Sequence, residues 1–77
     1  MTYYLNKNKQ STQSGSNYEI HKEICPYYYN YTDGNNFIRL GVYNNDFDAL
    51  AAAKNRFPSN AHEIDGCAHC CPSIHKK

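Results

Sequence analysis

The sequence predicts an α+β fold, a small antiparallel β-sheet with one packed α-helix, and three observations carry that prediction. Short segments near residues 3, 20 and 40 place apolar side chains at every second position, the period of half-buried strands. One segment, Phe47 to Phe57, places them at helical spacing behind a capping asparagine. The stretches between are rich in Asn, Asp, Gly, Ser and Pro, the residues of turns and loops. A chain of 77 residues has room for one domain, residues 1–77.

Thr2 to Asn6 forms the first expected strand, with Tyr3 and Leu5 on one face. Lys7 to Asn17 is polar and reads as a loop, the bend of a wide hairpin. Tyr18 to Lys22 alternates, with Tyr18 and Ile20 on one face, and makes a second strand that delivers His21 and Cys25 at its far end. Pro26 then stops regular pairing because it has no N–H to donate. Tyr27 to Tyr31 is a run of rings broken by Asn30, and Asp33-Gly-Asn-Asn36 signals a turn. Phe37 to Tyr43 is the best strand pattern, with Ile38, Leu40 and Val42 on one face and Phe37, Arg39, Gly41 and Tyr43 on the other. Asn45 suits a helix N-cap, and Asp46 and Asp48 follow in the first turn, where the helix dipole favours them. Phe47, Leu50, Ala51, Lys54 and Phe57 form one stripe expected to pack on the sheet. Pro58 ends the helix, and Ser59 to Asp65 reads as a connecting loop. Gly66 is expected to supply a backbone angle that other residues do not tolerate.

The core available to these elements is thin. Eight tyrosines outnumber three phenylalanines, there is no tryptophan, and aliphatic residues are few. A tyrosine packs with its ring and keeps its hydroxyl wet, so such a core is shallow. A chain of this size buries only about 60% of its unfolded surface, and small domains commonly add a disulfide or a metal. Four cysteines permit either. The segment from Met1 to Lys7 has no apolar signal-peptide core, and the longest apolar run, Ala49 to Ala53, is too short to span a bilayer. The expectation is therefore a cytoplasmic chain with reduced thiols and no membrane association, where clustered Cys and His favour metal. The formal net charge of +1 gives no strong field for nucleic acid or anionic membrane, so nucleic-acid binding is weakly supported.

The metal-ligand residues fall in two groups. His21-x3-Cys25 lies at the end of the second strand, and Cys67-x-x-Cys70 lies near the C-terminus. Structural Zn2+ takes four tetrahedral ligands from Cys sulfur and His nitrogen, so His21, Cys25, Cys67 and Cys70 are the expected set. They make a zinc knuckle that fastens the C-terminal segment. Three thiolates and a neutral imidazole leave a site charge of about minus one, typical of a structural ion. Cys71-x3-His75 mirrors the first spacing and offers an alternative pair. His62 and His69 read as exposed loop histidines, and Cys71 as a bystander thiol. With four protein ligands no position remains for water, which argues against zinc hydrolysis. His62-Glu63 does not make H-E-x-x-H, and Glu19, Glu23 and Glu63 flank histidines without a spacing that forces any pair together. Cys67-x-x-Cys70 is also the spacing of a redox pair, but it is not expected to follow a strand in a βαβ unit.

The order of parts resembles the metal-binding domain of the bacterial Ada DNA-repair protein and its relatives. The likeness runs from about Tyr18 to Pro72: a strand, H-x3-C, a turn, a strand, a helix beginning Asp46-Phe-Asp-Ala-Leu-Ala-Ala-Ala53, then Gly66-Cys-x-x-Cys-x-Pro72. In that family two cysteines spaced C-x3-C and a later C-x-x-C hold zinc. Carried over by position, the resemblance implies the same four ligands. The first cysteine of the family motif accepts a methyl group from a DNA phosphotriester, and here that position is His21, a poorer acceptor than a zinc thiolate. Ala68 and His69 stand where the family has basic residues suited to phosphate. The chain also looks like small stand-alone bacterial proteins of unknown function that open with a similar Tyr-x-Asn-Lys-Asn segment, here Tyr4 to Asn8.

The expected function is a non-enzymatic zinc-stabilised binding module with a protein partner, docking through a tyrosine-rich face such as Tyr27 to Tyr31. The alternatives are an Ada-like nucleic-acid-binding domain without its methyl acceptor, and a thiol-based redox or alkyl-transfer enzyme.

Overall fold

The computed structural model describes residues 1–6, 10–12, 15–25 and 36–75, with backbone alone at 10–12 and 15–17. The elements run β1 (Thr2–Asn6), β2 (Gln10–Thr12), β3 (Gly15–Lys22), β4 (Phe37–Val42), α1 (Asp46–Arg56) and β5 (Ile64–Gly66), with 3-10 turns at Pro58–Glu63 and Pro72–Ile74. This is the expected α+β fold. The reading of Pro26, of Tyr27 to Tyr31 and of the turn beginning at Asp33 lies outside the described residues.

The sheet departs from expectation in one respect: it is mixed. β1 pairs antiparallel with β3, Leu5 opposite Ile20, and antiparallel with β4, Leu5 opposite Ile38. On its other edge β3 pairs parallel with β5, Ile20 opposite Gly66. β3, β4 and β5 therefore point one way and β1 the other. The physical reason is the connection. A helix between β4 and β5 carries the chain back to its starting end, so β5 re-enters parallel, where a hairpin would have made it antiparallel. Ser59 to Asp65, expected as a loop, supplies a 3-10 turn and most of β5. The polar stretch expected as a loop also contains strand. β2 and the start of β3 form a hairpin ladder, Gln10 opposite Asn17, whose polar residues carry no apolar period.

β4 keeps its strand but loses its clean alternation. Its register against β1 shifts between Tyr3 and Tyr4, so Tyr3 faces Gly41 and Tyr4 faces Arg39. Gly41 has φ 130°, open to glycine and strained for other residues, and the Tyr43 ring covers it. Leu40 is buried, Ile38 is half-buried, and Val42 is 64% exposed.

α1 begins as expected. Asn45 Oδ1 accepts from the Asp48 N–H at 2.9 Å, and Asp46 and Asp48 occupy the first turn. Leu50 and Phe57 of the expected stripe are partly buried against the core, but the buried positions of the helix are Asp46, Ala49 and Ala53, while Phe47 is 62% exposed and Ala51 is exposed. Two causes set this rotation. Alanines let the helix lie close over β5 and the Pro72–Ile74 turn. Asp46 is drawn inward by Tyr3, whose hydroxyl donates to Oδ1 at 2.7 Å, and by Lys22 Nζ at 3.4 Å. The core joins Tyr3, Leu5, Ile20, Leu40, Ala49, Ala53, Ile64 and Ile74 to all four cysteines. Among the described residues, no helix is long and apolar enough to cross a membrane.

Candidate metal centre

The end of β3 and the segment after β5 meet because the strands pair. His21 is fully buried near the end of β3, and a turn closed by the Cys25 N–H to Lys22 C=O bond, 2.9 Å, brings Cys25 back beneath it. On the neighbouring strand the ladder continues one step past Gly66, with the Cys67 N–H donating to Ile20 C=O at 3.0 Å. A tight turn follows, closed by the Cys71 N–H to Cys67 C=O bond at 2.8 Å, and it returns Cys70 to the same place. The Lys22 N–H donates to Cys70 Sγ at 3.3 Å, so β3 holds the knuckle through a sulfur as well.

One donor atom from each of His21, Cys25, Cys67 and Cys70 lies within 4.8 Å of the others. Cys25 Sγ and Cys67 Sγ are 4.0 Å apart, as are Cys70 Sγ and His21 Nδ1. Tetrahedral ligation by sulfur at about 2.3 Å puts donors about 3.8 Å apart, close to these separations. All four cysteines are free thiols, and a disulfide would need sulfurs at about 2.05 Å. The group can therefore hold a metal ion.

The electrostatics fit a site built around a cation. Burial pulls the His21 pKa down to about 4, so the imidazole is neutral and able to ligate. Burial pushes the Cys67 thiol up to about 12. The contact with Cys71, followed by burial, raises Cys70 as well. Without a cation these thiols keep their protons; an ion displaces them on binding.

Cys71 is fully buried with Sγ 3.8 Å from Cys70 Sγ, outside the mutually close set. His75 does not join Cys71 at the sulfurs; its Nδ1 is 3.0 Å from Gly66 C=O and 4.0 Å from Asp65 Oδ2. His62 and His69 are exposed. Cys67-x-x-Cys70 does directly follow a strand, contrary to expectation, because β5 is too short to show a period. Glu19 flanks His21 at a spacing that forces no contact by itself, yet its Oε1 is 3.9 Å from His21 Nε2. The signal was the period of β3: residues two apart share a face. Glu19 has a raised pKa, from burial first and then from Asp65.

Gly66 has a different role from the one expected. Gly41 is the glycine with positive φ among the described residues. At Gly66 a Cβ would collide with Ile74 Cγ1 and lie 2.6 Å from the Cys71 carbonyl oxygen and 2.8 Å from Cys71 Cβ. The absent side chain lets the knuckle fold back over β5.

Compared with known proteins, the chain matches no family model, no curated protein and no solved structure, so the likeness to the Ada-type domain rests on its motifs.

Proposed function

We propose that the chain is a non-enzymatic binding module of the cytoplasm, stabilised by one Zn2+ on His21, Cys25, Cys67 and Cys70. The observation that carries this reading is the convergence of those four donor atoms within 4.8 Å, from positions up to 49 apart in sequence. Three sulfurs and one imidazole nitrogen are a donor set that suits tetrahedral zinc. Four protein ligands close the coordination sphere, which favours a structural ion over a catalytic one. The raised pKa values of Cys67 and Cys70, and the burial of both, disfavour a free thiolate nucleophile.

A protein partner is supported by where apolar surface is exposed. Met1, Ile24, Val42 and Phe47 are the large exposed apolar residues among those described. Met1, Val42 and Phe47 lie around the start of β1, and Ile24 follows a residue bonded to it. Thr2 pairs with Val42, its carbonyl accepts from Glu23 N–H, and Met1 and Phe47 line one cleft. The Tyr27 to Tyr31 segment of the same proposal lies outside the described residues.

The test is elemental analysis of freshly purified protein, with thermal melts before and after a chelator. We expect one zinc per chain and a clear drop in Tm on chelation, with thiols reactive only after the ion leaves. Cys70→Ser should lower zinc occupancy. Protein that carries no stoichiometric zinc overturns the reading. Binding to duplex DNA that weakens steeply with salt would replace it with the nucleic-acid alternative.

A further inference from the structure

We propose a second divalent-cation site, formed by Glu19, Asp65 and His75 beside the Cys/His cluster. One donor atom from each of the three lies within 4.8 Å of the others. The juxtaposition follows from the strand pairing. Glu19 on β3 is directly opposite Asp65 on β5, one register step short of Ile20 and Gly66. Residues two apart on a strand share a face, so Glu19 accompanies His21 and Asp65 accompanies Cys67. The paired strands thus present two rows of ligand-type side chains, separated by about 7 Å along the strand direction. The first row begins the Cys/His cluster. The second row is two carboxylates, and His75 reaches it from beyond the Pro72–Ile74 turn.

The carboxylates are the reason to look for a cation. Like charges directly opposite on paired strands repel, and here both are withdrawn from water: the side chains of Glu19 and Asp65 are 13% and 6% exposed. His75 brings a third ligand-type side chain to the pair: its Nδ1 is 4.0 Å from Asp65 Oδ2 and 3.0 Å from Gly66 C=O.

Two oxygens and one nitrogen make a harder donor set than the sulfur cluster and suit Mn2+ or a similar divalent ion. Three protein ligands leave coordination positions for water, and the His75 side chain is 30% exposed, so solvent reaches the site. The two sites are linked through Glu19, whose Oε1 is 3.9 Å from His21 Nε2.

The experiment titrates the full chain with Mn2+ and follows the free aquo-ion by electron paramagnetic resonance, after zinc content has been measured. Mn2+ competes poorly for thiolate sites, so it reads the oxygen-rich site alone. We expect one Mn2+ bound per chain, with affinity at least about tenfold weaker in His75→Ala and in the isosteric Glu19→Gln. Zinc content should be unchanged in His75→Ala, and circular dichroism should confirm that both variants fold. Mn2+ that stays free at millimolar concentration overturns the proposal. Binding that is equal in folded His75→Ala also overturns it. Because zinc is measured separately, absence of zinc with Mn2+ still bound would count against the sulfur centre and not against this one.

Discussion

At the residue scale the decisive position is Gly66. A methyl group there meets Ile74 and Cys71 at once, and Cys71 presents backbone as well as side chain. Neither neighbour has room to give, because both are buried. Gly66→Ala should destabilise the protein by about 1–3 kcal/mol in urea unfolding, the usual cost of overpacking. A variant within about 0.5 kcal/mol of the parent would show that the knuckle is not packed this closely. Tyr3 gives a second test. Its hydroxyl donates to the buried Asp46, and burial together with that bond raises the Tyr3 pKa. Tyr3→Phe should cost about 1.5 kcal/mol, the range for a hydrogen bond to a charged group. The sequence exposes some of this chemistry and hides the rest for a physical reason. His21, Cys25, Cys67 and Cys70 stand out because their residue types and short spacings already imply a shared ion. Glu19, Asp65 and His75 come from three separate segments, and only the register of β3 against β5 brings them together. The packing role of Gly66 depends on Ile74, which has no local signature either.

At the element scale the helix shows how a correct boundary can carry a face that is only partly correct. Asn45, the two acidic residues after it and Pro58 mark where α1 begins and ends, and all of these are local signals. Which side it buries is a tertiary property. Of the stripe Phe47, Leu50, Ala51, Lys54 and Phe57, Leu50 and Phe57 do pack against the core, but Phe47 and Ala51 are exposed and the helix buries Ala49 and Ala53, because the knuckle and β5 come close to it. The two faces make opposite predictions. Ala49→Leu should lose about 1–3 kcal/mol through overpacking, while Ala51→Leu should stay within about 0.5 kcal/mol. Equal effects in thermal melts would mean that the helix is rotated from the position described here. Asn45→Ala should cost about 1 kcal/mol by removing the cap to Asp48. β5 was invisible for the converse reason: Ile64-Asp-Gly66 is three residues long and has no period to detect.

At the scale of the whole molecule, stability should be unevenly distributed. β1, β3 and β4 are joined by antiparallel ladders with a shared apolar face, so their pairing does not depend on an ion. The segment from β5 onward is different. It has a three-residue strand, short turns and few apolar anchors, chiefly Ile64 and Ile74. An ion at the cluster would join Cys25 to Cys67 across 42 positions, and closing so long a loop restrains the unfolded chain strongly. Removing the ion should therefore release the knuckle before the sheet. Hydrogen exchange with and without a chelator reads this directly. We expect the amides of Lys22, Cys67, Cys71 and Ile74 to lose protection first, because each bonds within or onto the knuckle. The β1–β3 and β1–β4 ladders should hold longer under the same conditions. Protection at those four amides that a chelator leaves unchanged would mean that packing alone fastens the C-terminal segment, and the proposed ion would then have no structural work to do.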